Sequence, residues 1–168
     1  EADDLLGTIS VKCAENGWEC VIVTGDKDSL QLVTETTRVN HVKSRMGQTE
    51  TKNYTVEAFT EEYGFAPIKL IDLKALMGDT SDNIPGVAGV GEKTAMALVQ
   101  RFGGIADIYE NLSSPEIKES VRKRLDAGRD AAKMSYELAT IRCDAPIDFD
   151  PKQNIRVGYN NDALYKLF

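Results

Sequence analysis

The hydrophobic pattern of the chain changes near residue 55, and this change limits the folds it can adopt. Before that point the pattern predicts a helix and three short strands, at residues 2–16, 20–24, 37–43 and 50–54, with a turn at Met46-Gly47-Gln48 joining the last two strands. After it only helical patterns remain, at residues 55–63, 67–77, 92–102, from Ser114-Pro115 to about 141, and 161–168. The sequence therefore predicts an α/β sheet followed by a helical part.

The size and composition of the chain agree with a folded protein. Its 168 residues are 42% hydrophobic, enough for a core and too apolar for a disordered chain. The longest aliphatic run is Val21-Ile22-Val23, so we expect no membrane contact. We expect a boundary near Tyr54, which divides an α/β core (1–54) from a helical subdomain (55–145) and a tail or linker (146–168). Because the chain starts at Glu1, inside an acidic motif, we also expect it to be a piece of a longer protein.

The cysteines and the histidine do not suggest a zinc site. The three cysteines are an odd number without CxxC spacing, which predicts reduced thiols and a cytoplasmic protein. A single histidine, His41, cannot build a zinc site, and we interpret it as an ordinary strand residue.

Three acidic clusters are the strongest candidates for chemistry. They open the first helix, follow the first strand, and occupy a Gly/Ser loop after a helix; their members are Glu1, Asp3, Asp4, Asp26, Asp28, Asp79 and Asp82. If the clusters converge, each pair of charges about 4 Å apart would cost about 4 kcal/mol at an effective dielectric near 20, so cations or protons must accompany them. Oxygen-only ligands favour Mg²⁺ or Mn²⁺, and two such ions suit in-line phosphodiester cleavage.

Each cluster also has a structural explanation. Acids in the first turn of a helix interact favourably with its dipole, which accounts for Glu1, Asp3 and Asp4 without any function. Asp26, Asp28, Asp79 and Asp82 lie in sequences that commonly form turns. If the chain is extended after the first strand, Asp26 and Asp28 would point the same way. Spacing alone does not decide between structural and metal-binding roles.

A glycine-rich segment, residues 84–94, joins two predicted helices. Its glycines allow positive φ angles and a close approach of phosphate to backbone N–H groups, and Val87 and Val90 would pack between the helices. This is a helix–hairpin–helix pattern, which binds the DNA backbone without reading bases, and the alternative is a tight packing turn. The candidate DNA-binding residues are Gly86, Val87, Gly89, Gly91, Lys93 and Thr94.

The overall charge does not resemble that of a general nucleic-acid coat. The net charge is −7, yet residues 118–133 carry six basic and three acidic side chains. This basic stretch is either a solvated helix face or a surface that lies along DNA.

Three sequence blocks together resemble a known family. They are EADDLLGT at 1–8, VTGDKDSLQL at 23–32 and LKALMGDTSDNIPGVAGVGEKTA at 73–95, and the likeness continues through LATIRCDAPI at 138–147. The chain resembles the 5′–3′ exonuclease (flap endonuclease) domain of bacterial DNA polymerase I. The resemblance implies a PIN-like sheet core, incomplete at its N-terminus, that carries a helical subdomain with a helix–three-turn–helix element.

The resemblance also implies an activity and a set of ligands. The activity would be divalent-metal-dependent hydrolysis of 5′ flaps, nicked duplex ends and RNA primer remnants during replication and repair, in a bacterial cytoplasmic protein associated with the nucleoid. Two Mg²⁺ ions, or Mn²⁺ in their place, would be held by Glu1, Asp3 and Asp4 on one side and Asp26, Asp28, Asp79 and Asp82 on the other, with sharing possible. Asp3, Asp4, Asp26 and Asp28 would act in catalysis through the metal, and a K⁺ ion would bind at the hairpin. The partners would be duplex DNA and covalently linked polymerase domains.

The chain departs from this family at its start. Members begin with strands that supply two further metal-binding aspartates, followed by a helical arch with basic residues, and none of these precedes Glu1 in the sequence. We therefore expect weak or absent cleavage from these 168 residues alone. The alternative function is a non-catalytic fragment that binds duplex or junction DNA. A PIN-like ribonuclease acting on structured RNA is a third hypothesis, disfavoured because the hairpin suits regular duplex.

Overall fold

A computed structural model describes residues 2–45, 47–150, 152 and 161–167. Its three strands form one sheet in the order β1-β2-β3, and they are β1 (Cys20–Thr24), β2 (Thr37–Arg45) and β3 (Gln48–Tyr54). β1 runs parallel to β2, with Ile22 opposite Val39, and β2 runs antiparallel to β3, with Val39 opposite Tyr54. The predicted hairpin of the second and third strands is confirmed, with both strands longer than expected. Met46, which begins the predicted turn, lies outside the described residues.

Helices precede and follow this sheet. The α-helices among the described residues are α1 (Ala2–Glu15), α2 (Val56–Tyr63), α3 (Leu70–Met77), α4 (Glu92–Phe102), α5 (Ile105–Glu110), α6 (Glu119–Ala127), α7 (Arg129–Ala139) and α8 (Asn161–Leu167). Short 3-10 helices span Asp28–Leu32 and Pro67–Lys69. The predicted α/β class with a helical continuation is therefore confirmed, while most of the predicted irregular tail (151 and 153–160) lies outside the described residues.

Turn residues set the ends of α2 as predicted, whereas two other predicted helices begin differently; in the first, predicted over 67–77, residues 67–69 form a 3-10 helix before α3. The Thr55 hydroxyl accepts a hydrogen bond from the Ala58 N–H at the start of α2, and Gly64 ends the helix at a φ of 79°. The prediction that Ser114 and Pro115 begin a helix is wrong, because α6 begins at Glu119. The Ser114 hydroxyl instead accepts from the Glu116 N–H, two residues on, and closes a local turn.

One hydrophobic core extends from the sheet into the helices. Its most completely buried large side chains are Leu30, Val39, Phe59, Leu76, Ile108 and Leu125. The prediction that β1 is a buried strand is only partly correct: Ile22 is buried, whereas Val21 and Val23 are 40% and 66% exposed. Alternate strand residues point to opposite faces of a sheet, and only the Ile22 face is covered by described residues. No helix in the described part of the chain has the length and apolar character needed to cross a membrane.

Candidate metal centre

Carboxylates from all three acidic clusters meet at one cleft beyond the carboxyl end of β1. The cleft has a volume of about 400 Å³, and its acidic lining residues are Asp3, Asp4, Asp26, Asp28 and Asp82. Ile84 and the residues at and after the end of α7, Leu138 to Ile141, also line it. The structure thus brings together segments that are far apart in the sequence. Glu1, the remaining member of the first cluster, lies outside the described residues.

The tightest part of this acidic group contains three carboxylates. Asp28, Asp79 and Asp82 each offer an oxygen, and these oxygens lie within 4.8 Å of one another. No histidine or cysteine lines the cleft among the described residues. A donor set made only of carboxylate oxygen fits hard divalent cations such as Mg²⁺ and Mn²⁺.

Lys74 is a site residue that the sequence analysis did not identify. It projects from α3 with a side chain only 6% exposed, and its ammonium contacts Asp28, lies 2.8 Å from Oδ2 of Asp79 and lies 3.9 Å from Oδ2 of Asp82. The sequence of α3 did indicate a special role for Lys74, since Asp72 and Lys74 are the charged residues of an otherwise apolar helix. Charged groups in a buried helix need partners. Lys74 therefore offsets part of the repulsion among the three carboxylates.

The pKa values of the cluster reflect burial and this ammonium. Burial raises the pKa of Asp28 to about 6, opposed by Lys74 and assisted by the nearby charge of Asp26. The hydrogen bond from Lys74 lowers the pKa of Asp79 to about 2, and Ser81 contributes in the same direction. Burial by itself lowers the pKa of Lys74, but its hydrogen bonds to Asp28 and Asp79 outweigh this and raise it. Near neutral pH, Asp28 and Asp79 are therefore anionic and Lys74 is cationic.

The loop that carries Asp79 and Asp82 is fixed by its backbone. Asp79 and Ile84 exchange two backbone hydrogen bonds of 2.9 and 2.8 Å. Asn83 completes the loop at a φ of 57°, a left-handed conformation that asparagine tolerates better than most residues. The Ser81 N–H also donates to Oδ1 of Asp79, at 2.9 Å. The short loop thus presents both carboxylates in a defined geometry.

The chain is not extended after β1, so the condition under which Asp26 and Asp28 would point the same way does not hold. The Asp26 N–H donates to the Thr24 hydroxyl at 3.0 Å, and the Asp28 N–H donates to Oδ1 of Asp26 at 2.8 Å. These side-chain bonds turn the chain, so Asp28 opens the 3-10 helix Asp28–Leu32. Both carboxylates still line the cleft, although a turn rather than an extended segment places them there.

Asp4 connects α1 to the segment that follows α7. Its Oδ1 accepts the backbone N–H of Arg142 at 2.8 Å, and this bond is the main cause that lowers the pKa of Asp4. The Thr8 hydroxyl, one turn further along α1, accepts the N–H of Ala145 at 2.9 Å. The first helix and the segment after α7 are therefore held together beside the carboxylates.

Gln31 has a similar role beside the cleft, and its position in the sequence did not suggest it. Its side chain is 4% exposed; Nε2 donates to the Ala139 carbonyl at 3.0 Å and Oε1 accepts the Ile141 N–H at 2.9 Å. Gln31 thus joins the 3-10 helix that begins at Asp28 to the end of α7.

Replacing Gln31 by leucine should lower the free energy of unfolding by about 1–3 kcal/mol, because the Ala139 and Ile141 backbone groups would lose their partners in a buried site. Chemical denaturation measures this loss. The matched control is Gln100→Leu, since exposed Gln100 makes one bond, to the Tyr63 carbonyl at 2.7 Å. Equal losses in the two variants would contradict the assigned role of Gln31.

The glycine hairpin has a buried half and an exposed half. Gly86 and Val87 are buried, and a Cβ on Gly86 would collide with the backbone nitrogen of Gly78. Gly86 has a φ of 63°, and its N–H donates to the buried Ser135 hydroxyl of α7 at 2.9 Å. This half is a tight packing turn that joins the hairpin to the acidic loop, so Gly86 and Val87 shape the hairpin from inside.

The second half of the hairpin faces solvent except at Val90, which packs inward. Gly89, Gly91 and Lys93 are exposed, and Thr94 is half-buried. Gly91 caps α4 at a φ of −92°, so unlike Gly89, at 77°, it does not use a left-handed conformation. The predicted burial of Val87 and Val90 is confirmed. The backbone at Gly89, Gly91 and the start of α4 is therefore the part that can approach a ligand.

The fold and the site together define an α/β protein whose carboxylate cleft suits divalent cations and whose glycine hairpin lies next to that cleft. Two family models match this chain. "5′-3′ exonuclease, N-terminal resolvase-like domain" matches residues 1–64, and "5′-3′ exonuclease, C-terminal SAM fold" matches residues 65–162. The chain belongs to the 5′–3′ exonuclease family, which confirms the resemblance drawn from the sequence motifs.

Curated relatives agree with this assignment. The chain is 41% identical over 168 residues to DNA polymerase I of Bacillus subtilis and 41% identical over 167 residues to DNA polymerase I of Caldicellulosiruptor bescii. These alignments cover 100% and 99% of this chain but only 19% of each relative.

Solved structures confirm the predicted fold class. The bacteriophage T5 5′-exonuclease with bound zinc has a TM-score of 0.69 at 26% identity, and the alignment covers 83% of this chain and 49% of that one. A complex of the T5 flap endonuclease with DNA and metal ions has a TM-score of 0.68 at the same identity and coverage. The catalytic core of Rad2 with a DNA substrate, at a TM-score of 0.51 and 16% identity, covers 83% of this chain and 49% of its own and shares the fold alone.

Proposed function

We propose that the chain is the nuclease part of a bacterial DNA polymerase I and hydrolyses phosphodiester bonds at 5′ ends, at flaps, nicks and RNA primers. The observation that carries this proposal is the convergence of Asp28, Asp79 and Asp82 within 4.8 Å, in a group whose cleft also holds Asp3, Asp4 and Asp26. Family membership and the metal-bearing T5 structures support it.

The carboxylates divide into two ligand groups in this proposal. Asp28, Asp79 and Asp82, with Asp26, would hold one Mg²⁺, and Glu1, Asp3 and Asp4 would hold another, with Mn²⁺ as a substitute. Divalent cations in such a site activate water and stabilise the leaving oxygen of a phosphodiester. The chain itself contributes anionic oxygens, with Asp3, Asp4, Asp26 and Asp28 nearest the chemistry, and a fixed ammonium at Lys74 that keeps three of the carboxylates together.

The hairpin would bind the phosphate backbone of the duplex. Exposed Gly89 and Gly91 permit close approach to the N-terminus of α4, where backbone N–H groups favour anions, and Lys93 adds a positive charge. Hairpin carbonyl groups would bind a K⁺ ion. In this proposal the chain divides into a core (1–54), a helical part (55–145) that carries the hairpin surface, and a connecting segment (146–168). The connecting segment would lead to covalently linked polymerase domains. The protein would act in the bacterial cytoplasm, at the nucleoid.

Incubation of a labelled 5′-flap duplex with Mg²⁺ tests the proposed activity. The protein used should include the segment that precedes Glu1 in family members. We expect cleavage that releases 5′-phosphate products and that stops when EDTA removes the metal. Intact substrate after incubation with that protein would reject the nuclease proposal, while duplex binding in EDTA without any cleavage in Mg²⁺ would favour a binding module.

Lys93→Ala should weaken duplex binding roughly threefold to tenfold and reduce the slope of log affinity against log salt by about 0.9, the value of one lost phosphate contact. Fluorescence anisotropy in EDTA over a salt series measures both quantities. Lys52→Ala is the control, because Lys52 lies on β3, where Glu62 neutralises it at 2.5 Å. Unaltered affinity in Lys93→Ala would count against the hairpin as the duplex-binding element.

A further inference from the structure

The basic stretch of residues 118–133 contains cations in different electrostatic environments. Arg122 and Lys123 pair with Glu119 at 3.4 and 3.6 Å, and Arg129 pairs with Asp126 at 3.0 Å. Arg124 has no carboxylate within 4.0 Å in the described part of the chain. The stretch as a whole is therefore not a uniform basic surface, since three of its cations share the two carboxylates of Glu119 and Asp126.

Arg124 instead contacts the exposed half of the glycine hairpin. Its Nη1 donates to the Gly89 carbonyl at 2.7 Å. A Cβ at Gly89 would lie 3.1 Å from Nε and 3.2 Å from Cδ of Arg124, so the arginine side chain lies directly against the glycine backbone. This contact connects α6 to the hairpin across 35 residues of sequence.

The contact leaves most of the guanidinium available. An arginine carries five N–H donors in a planar fork, and the bond to Gly89 uses one of them. Arg124 is an exposed residue, so a ligand in solvent can reach the guanidinium beside the hairpin segment that contains Gly91 and Lys93. The Gly89 carbonyl already orients the guanidinium. The loss of side-chain entropy when a phosphate binds is therefore smaller than it would be for an unrestrained arginine.

We propose that Arg124 binds a phosphate of the duplex backbone next to the hairpin, with its bond to Gly89 holding the guanidinium in position. The inference rests on the proposed function, since it requires that the hairpin binds DNA. In a chain with a net charge of −7 and an acidic cleft nearby, individual uncompensated cations decide where a polyanion can lie. Arg124 extends the binding surface from α4 to α6, so two helices would contact the DNA backbone.

Duplex binding by Arg124→Ala, Arg124→Lys and Lys123→Ala tests this proposal in the full-length protein, with EDTA present to prevent cleavage. Arg124→Ala should weaken binding about tenfold, as expected for a charge-assisted hydrogen bond, equally for unrelated duplex sequences. The salt slope should fall by about 0.9. Arg124→Lys should keep the slope but recover only part of the affinity, because one ammonium cannot reproduce the planar fork. Lys123→Ala removes a neighbouring exposed charge that pairs with Glu119, and it should change both quantities less than Arg124→Ala does.

The outcomes separate this inference from the proposed function. If Arg124→Ala behaves like Lys123→Ala while Lys93→Ala weakens binding, the role of Arg124 is overturned and the hairpin assignment stands. A loss of affinity in Arg124→Ala at an unchanged salt slope would mean that Arg124 only shapes the hairpin, and would also overturn the phosphate contact. Absence of salt-dependent duplex binding by the unaltered protein would overturn both.

Discussion

Asp28→Asn is expected to lower the rate of phosphodiester cleavage at least about a hundredfold, because loss of a group that only supports a metal ligand already lowers metal affinity or activity about 10–100-fold. The substitution removes one of three carboxylates whose oxygens lie within 4.8 Å of one another. The free energy of unfolding should stay unchanged or rise, because burial raises the pKa of Asp28 to about 6 and a neutral amide avoids the cost of burying the charge. Single-turnover cleavage of a 5′-flap duplex and chemical denaturation measure the two effects.

Direct metal binding separates this effect from a general loss of structure. Calorimetric titration with Mn²⁺ should show weaker binding in Asp28→Asn, in parallel with the loss of cleavage. Asp126→Asn is the control, because Asp126 is an exposed aspartate that pairs with Arg129 on the surface of the helical part. Cleavage at the unaltered rate by Asp28→Asn would contradict the proposed metal site.

Lys74→Met should lower the free energy of unfolding by about 2–3 kcal/mol in EDTA. Removal of one partner from a fully buried ion pair costs about 3–5 kcal/mol, and here the cost is smaller because Asp82 is half exposed. Without the ammonium, Asp28, Asp79 and Asp82 repel one another, and a divalent cation can offset that repulsion. Added Mg²⁺ should therefore raise the unfolding temperature more in Lys74→Met than in the unaltered protein, since ligands stabilise the state that binds them.

An exposed ion pair provides the control for Lys74→Met. Arg101 and Glu116 form a bond of 2.6 Å between Nη2 and Oε1 in which both side chains remain largely exposed. Arg101→Met should cost less than about 1 kcal/mol and should not respond to Mg²⁺. A Lys74→Met protein that is as stable as the original in EDTA would show that the ammonium does not hold the carboxylates together.

Local patterns in the sequence were enough to predict much of the architecture. The bounds of α4, the Thr55 cap of α2 and the antiparallel pair β2 and β3 depend on hydrophobic period and turn chemistry, which act over a few residues. The same patterns did not predict where α6 begins, because the Ser114 hydroxyl closes a turn rather than a helix. Short polar side chains can either cap a helix or close a turn, and the local sequence does not distinguish these two roles.

Contacts between distant segments could not be predicted in this way. Lys74 lies 46 residues from Asp28, and Gln31 lies 108 and 110 residues from the two backbone groups that it bonds. Spacing along the chain carries no information on such pairs, because the packing of α3 and α7 around the core brings them together. The burial that raises the pKa of Asp28 likewise exists only in the folded protein.

The sequence by itself determined the α/β class with its helical continuation, the acidic clusters and the glycine hairpin, because residue type and short-range spacing are enough to specify each of them. Only the tertiary structure decided that the clusters share one cleft, that Lys74 lies among the carboxylates and that Arg124 lies against Gly89. Those arrangements depend on which helix faces meet in the common core, and that is a property of the whole chain.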